Sequence, residues 1–91
     1  MIWSVKIEES ARKELRDIGP SGAALILAYA EKRLHGCSNP RAFGHPLRGD
    51  MHGLWRYRVA DYRLICRLDD GLLVIALIRV GNRKNVYKKK T

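Results

Sequence analysis

The chain has 91 residues, 46% hydrophobic and 30% charged, with 18 lysines and arginines against 9 aspartates and glutamates, for a formal net charge of +9. That length predicts one domain with a thin core, and no apolar run approaches the ~20 residues of a membrane-spanning helix. The amino terminus MIWSVKIEES lacks a signal-peptide core, which points to the cytoplasm, and so much positive charge on so small a body points to a polyanion, nucleic acid before an acidic protein.

IWSVKI alternates apolar and polar residues and predicts a short first strand. In EESARKELRDIGP, Ala11, Leu15 and Ile18 recur at helical spacing, acidic residues occupy the first turn and Gly19-Pro20 stops the run, predicting a helix over residues 8–18. A second helix is expected to open at Ser21 as its N-cap and to place Ile26, Leu27, Ala30 and Leu34 on one face before Gly36 ends it. So tight a link predicts an antiparallel helical hairpin. Residues 37–53, CSNPRAFGHPLRGDMHG, are rich in turn formers and predict an exposed, irregular segment that brings Arg41, His45, Arg48 and His52 up to the start of a β-hairpin.

LWRYRV, a turn at Ala60-Asp61, YRLICRL, a turn at DDG and the apolar LLVIALIRV then predict three strands, the last a central one buried on both faces. The tail GNRKNVYKKKT is expected to leave the sheet at Gly81. The expected fold is α+β, in the order β-α-α-β-β-β, with a helical hairpin on one face of a small, mainly antiparallel twisted sheet and the other face open in whole or part. Cys37 and Cys66, without CxxC spacing, read as free thiols.

The hairpin raises the sharpest question, because LWRYRVADYRLICRL carries four arginines. Strand alternation puts Arg56 and Arg58 on one face and Trp55, Tyr57 and Val59 on the other. With Ala60 and Asp61 as the turn, residue 59 pairs with 62, Arg58 opposes Arg63, and Arg56 faces Ile65. Like charges directly opposed in an antiparallel pair are destabilising, so the arrangement predicts an anion site rather than a device for stability. Guanidinium forks match phosphate oxygens in pairs. Other chemistries find little support: the acidic residues are scattered, no His/Cys spacing suits zinc, and neither a Ser-His-Asp order nor a phosphate-cradling glycine loop is present. Any catalysis should therefore be metal-free, cofactor-free and largely cationic.

LRG at residues 47–49, RYRVADYRLI at 56–65 and VGNRKNVY at 80–87 resemble the RelE superfamily of bacterial toxin components, which includes RelE-type ribonucleases and ParE-type gyrase inhibitors. The resemblance implies metal-independent cleavage of mRNA on the ribosome, with contacts to ribosomal RNA, in which a 2'-hydroxyl attacks the adjacent phosphate. Carried over by position, it implies that Arg56 and Arg58 are the basic strand residues, that Arg63 contacts the scissile phosphate, that Arg83 assists the leaving oxygen, and that Tyr87 positions or stacks on the nucleotide. Arg48, His52, Lys84 and Lys88 are weaker RNA-contacting candidates. A cognate acidic antitoxin is the implied partner.

Two departures from the family pattern bear on mechanism. Some RelE-type enzymes carry lysines where this chain has Arg56 and Arg58, and arginine stays protonated, so the general base is unassigned between Tyr87, His52 and a group on the ribosome. Asn82 stands where many relatives have histidine. The alternatives are a ParE-like toxin that inhibits gyrase without hydrolysis, and a basic RNA-binding module that has lost its base.

Overall fold

The computed structural model describes residues 2–84 and Val86. Its elements are β1 (Ser4–Ile7), α1 (Glu9–Ile18), α2 (Pro20–Tyr29) extended by a π-helical turn (Ala30–Leu34), β2 (His45–Pro46), β3 (Leu54–Val59), β4 (Tyr62–Asp69) and β5 (Val74–Asn82). Short 3-10 turns at Pro40–Ala42 and Gly49–Met51 flank β2. The strands form one mixed sheet in the order β1-β5-β4-β3-β2, antiparallel throughout except where β1 runs parallel to β5. The α+β arrangement expected from the sequence is the one observed. No helix among the described residues is long and apolar enough to cross a membrane.

Alternation sorts the hairpin residues as expected. Tyr57, Val59, Leu64 and Cys66 point to the helical side and join Ile75, Leu77 and Val80 of β5 and Ala11, Leu15 and Ile26 of the helices in one buried core. Tyr57 is fully buried and its hydroxyl donates to the Pro40 carbonyl at 2.8 Å. That contact anchors a segment expected to be exposed, and Pro40 itself is buried. Burial pushes the Tyr57 hydroxyl pKa well above its ordinary value.

Four local expectations need correction. Gly19, at φ 98°, is the residue preceding α2, and Pro20 holds its first position in place of a Ser21 N-cap, because proline's fixed φ and missing N–H suit that site. Residues 37–53 contain a two-residue strand, β2, too short to show any period. Leu72 and Leu73 belong to the turn before β5, with Leu73 at φ 55°. At the other end β5 runs through Gly81 to Asn82.

β1 covers only the first part of β5, pairing residues 74–77. Beyond that point α1 completes the ladder with side chains: Ser10 Oγ donates to the Ile78 carbonyl at 2.6 Å, and Glu14 Oε1 accepts the Val80 N–H at 2.8 Å. A register shift between Ile65 and Cys66 leaves Ile78 as the extra residue on β5.

Cys66 gives a pH prediction. Its thiol is fully buried in β4, and burial pushes its pKa from 9.0 up to about 12. The folded protein keeps the proton where the unfolded chain loses it, so this contribution is complete below pH 9.0 and is lost as pH rises through the interval up to about 12. The slope is at most ~1.4 kcal/mol per pH unit. The urea midpoint of the wild type should fall between about pH 8 and about pH 10 more steeply than that of Cys66→Ala. Parallel curves would clear the thiol of responsibility.

Candidate functional site: an arginine-bearing sheet face

The register places the side chains of the face opposite the helical core in cross-strand rungs. One rung carries Gly81, Arg63 and Arg58, the next Arg79, Ile65, Arg56 and His45, and a third Lys6, Ala76, Arg67 and Leu54. The opposition of Arg58 and Arg63 is as the sequence predicted. It is relieved in part within the fold. Arg63 is only 7% exposed, and its Nη1 donates to the Tyr62 carbonyl at 2.9 Å and the Ala60 carbonyl at 3.3 Å. Two carbonyl dipoles thus aim their negative ends at one guanidinium, which lowers the cost of bringing Arg58 across from it. Arg58 is exposed.

Arg56 lies half-buried between them and the next rung, and its Nε is a buried donor without a hydrogen-bond partner among the described residues. An unpaired buried donor costs about 1–3 kcal/mol. A further strand-borne cation of the face, Arg67, is exposed and meets Glu8 at 3.4 Å. Arg79 is paired with Glu14 at 3.8 Å.

The segment after β5 closes one end of this face. Arg83 N–H donates to the Asp61 carbonyl at 3.1 Å, tying its turn to the β3–β4 turn. Val86, 1% exposed, packs over Gly81, where a Cβ would lie 3.3 Å from its own. The missing side chain at Gly81 lets the chain return this closely. Lys84 N–H is held by Asn82 Oδ1 at 3.1 Å. Arg83 and Lys84 are exposed, while Tyr87 and Lys88 lie outside the described residues.

On the opposite edge β2 contributes His45, cross-strand partner of Arg56 and therefore on the same face. Gly44 makes this approach possible, since a Cβ there would meet the Arg56 carbonyl at 2.7 Å and the Tyr57 ring at 2.8 Å. The loop is held by Arg41, whose Nη1 and Nη2 bind the Asp70 carboxylate at 2.9 and 2.8 Å while its guanidinium lies 5.7 Å from the Trp55 ring centre. This fork holds the Asp70 carboxyl below the usual carboxylate range. Arg48 and His52 flank the second 3-10 turn and are exposed, off the strand rungs. His35 caps the π-helical turn and accepts the Val5 N–H on Nδ1 at 3.2 Å.

The face therefore brings Arg56, Arg58 and Arg63 together and docks the turn of Arg83 beside them. Sequence reasoning missed His45, Arg67 and Arg79 as members. His45 depended on a strand with no readable period and Arg79 on the extra residue Ile78, since alternation from Ile75 and Leu77 would have put it on the core side; Arg67 follows the same alternation that exposed the others. Among the described residues no three His, Cys, Asp or Glu side chains are gathered as a metal site. The chemistry available is electrostatic: fixed guanidiniums around a position where an anion can rest, with one imidazole at the margin.

Comparison with known proteins bears on the family and the fold. A family model described as ParE toxin of type II toxin-antitoxin system, parDE, matches residues 5–87. Toxin RelG of Mycobacterium tuberculosis is 29% identical over 89 residues, covering 98% of this chain and 100% of the relative. Toxin RelE of the same organism is 30% identical over 86 residues, covering 94% and 87%. Among solved structures, the toxin-antitoxin complex RelBE2 from Mycobacterium tuberculosis matches with a TM-score of 0.81 at 29% identity, over 91% of this chain and 100% of that one. The chain belongs to the ParE toxin family of type II toxin-antitoxin systems, and within the RelE/ParE superfamily it is a toxin of RelE type.

Proposed function

We infer that this toxin is a metal-independent endoribonuclease that cleaves mRNA on the ribosome. The reading is carried by one observation: Arg56, Arg58 and Arg63 share one face of one hairpin, opposite the core, with the Arg83 turn tethered to that hairpin's own turn. In the proposed reaction the 2'-hydroxyl loses its proton to a base, its oxygen bonds to the adjacent phosphorus, and the bond to the 5'-oxygen breaks. The 5'-oxygen takes up a proton, leaving a 2',3'-cyclic phosphate and a 5'-hydroxyl. Negative charge grows on the phosphate oxygens, and preorganised cations stabilise it most where it grows.

Arg58 holds the reacting phosphate in this scheme with Arg56 one rung along, Arg63 adds its charge from the rung of Arg58, and Arg83 neutralises the leaving oxygen. Tyr87, which the resemblance assigns to the nucleotide, is a stacking group for an unpaired base. Arginine is a poor proton acceptor, so the base is sought elsewhere. Histidine exchanges protons near neutral pH, and His45 is the one histidine borne on a strand of this face among the described residues. His45→Gln is expected to slow cleavage about 10²-fold. An unaltered rate would return the role to Tyr87, His52 or a ribosomal group.

The physiological partner in this reading is a cognate acidic antitoxin. It is supported by the RelBE2 complex, whose toxin chain this protein resembles over nearly its whole length, and by the net charge of +9. The competitor is a ParE-type gyrase inhibitor, which the relatives' names, RelG and RelE, do not favour. Mapping transcript 5' ends after brief expression separates the two. New 5'-hydroxyl ends within coding regions are expected; intact transcripts with DNA damage would overturn the ribonuclease.

A further inference from the structure

We propose that Arg67 and Lys6 form a third phosphate subsite, one rung along the face from Arg56, so that the toxin holds single-stranded RNA by three successive phosphates. The proposal rests on the ribonucleolytic reading and extends it to a part of the face to which neither the family motifs nor the hairpin argument gives a role.

The rungs carry it. Arg58, Arg56 and Arg67 occupy three consecutive rungs, Arg67 on β4 opposite Leu54 and Lys6 on β1 opposite Ala76, which is itself the cross-strand partner of Arg67. Successive rungs are two residues apart along a strand, about 6.8 Å, a step comparable to that between neighbouring phosphates of an extended single strand. Between the cations the side chains are short or recessed: Ile65 is fully buried and Ala76 is 5% exposed. A strand whose reacting phosphate lies at Arg58 therefore passes its next phosphates over Arg56 and Arg67.

The ion pairs on the face sort the candidates. Arg79 belongs to the fold, since Glu14 binds it at 3.8 Å while also taking the Val80 N–H, and both side chains are largely buried. Arg67 differs. Its side chain is 56% exposed and reaches Glu8 Oε1 only at 3.4 Å. An exposed pair of this kind contributes about 0–1 kcal/mol, so a phosphate displaces Glu8 at little cost. Lys6 is exposed and makes no ion pair among the described residues. Glu8 thus acts as an internal stand-in for the third phosphate.

The test is binding of 2'-O-methyl oligouridylates, which cannot be cleaved, to the full chain, followed by fluorescence anisotropy across a salt series. Wild type should gain affinity from two to five nucleotides. Arg67→Ala should abolish that gain and lower the salt slope by about 0.7, as expected for one lost contact to a single strand. Lys6→Ala should do the same to a smaller extent, and Glu8→Gln should tighten the longer oligomer several-fold. On programmed ribosomes, Arg67→Ala should raise KM and leave kcat in place, the mark of a contact made equally in ground and transition states. Equal affinities and slopes for wild type and Arg67→Ala at every length would overturn the subsite. So would loss of polyglutamate binding in Arg67→Ala with RNA binding intact, which would give the face to an acidic peptide. Length-dependent RNA binding without cleavage would sustain the subsite while removing the nuclease, whereas no RNA binding by the wild type removes both.

Discussion

Replacing Arg58 with alanine is expected to lower the rate of mRNA cleavage by about 10²-fold or more, in line with the loss of one preorganised donor to a developing oxyanion. The same substitution should leave the fold intact and raise its stability by a few tenths of a kcal/mol, because it removes a like charge directly opposite Arg63. Opposite signs for activity and stability are the signature of a residue kept for chemistry. Arg63→Ala should behave differently. Its guanidinium is buried and binds two turn carbonyls, so its removal strands those acceptors and costs about 1–3 kcal/mol on top of any catalytic loss. Arg83→Ala, on an exposed turn whose anchor to Asp61 is a backbone bond, should match Arg58→Ala in activity with stability unchanged. Single-turnover cleavage on programmed ribosomes and urea melts of the three variants decide the matter. Full activity in both Arg58→Ala and Arg83→Ala would dismiss this face as the reactive site.

The hairpin was legible from its sequence because two periods agree. Alternation of apolar and basic residues assigned the faces, and a two-residue turn at Ala60-Asp61 then left one register that keeps Tyr57, Leu64 and Cys66 on the core side. Ala60 adopts φ 52° to close that turn, a conformation no propensity rule would have assigned to alanine. Helix α1 was readable for the same reason, its buried Ala11 and Leu15 lying four residues apart. The features that stayed hidden depend on contacts between distant segments. The use of Ser10 and Glu14 to finish the ladder of β5 follows from β1 stopping short, which no local pattern records. His45 reached the site through a strand of two residues, one of them proline, held by Gly44 beneath it.

The opposed arginines illustrate how far a charge argument reaches. From sequence, Arg58 against Arg63 called for an external anion, and the expectation assumed both guanidiniums stand in solvent. The turn geometry instead turns Arg63 back onto the carbonyls of Ala60 and Tyr62, so the fold itself absorbs one of the two charges. The demand for an anion then shifts to Arg58, exposed, and to Arg56, whose buried Nε has no partner among the described residues. The inference of an anion site keeps its direction but rests on a different residue from the one that first suggested it.

Tyr57 connects this site to the stability of the whole domain, and its substitution should have the largest effect on folding. It lies between Arg56 and Arg58 on β3 but points into the core, fully buried, with its ring 6.4 Å from that of Tyr29 and its hydroxyl on Pro40. Tyr57→Ala removes a large aromatic from a thin core and should cost about 3–5 kcal/mol, a large share of the ~5–15 kcal/mol typical of a domain. Tyr57→Phe keeps the ring and leaves one buried carbonyl unpaired, about 1–2 kcal/mol. The two variants also separate packing from site geometry. Tyr57→Phe should cleave mRNA nearly as well as wild type below its melting temperature, because β3 keeps its register and Arg56 and Arg58 their face. Tyr57→Ala should lose activity in step with its folded fraction, measured by near-ultraviolet circular dichroism at the assay temperature. A fully folded Tyr57→Ala would show that the helical hairpin, rather than this ring, fixes the strand that carries the arginines.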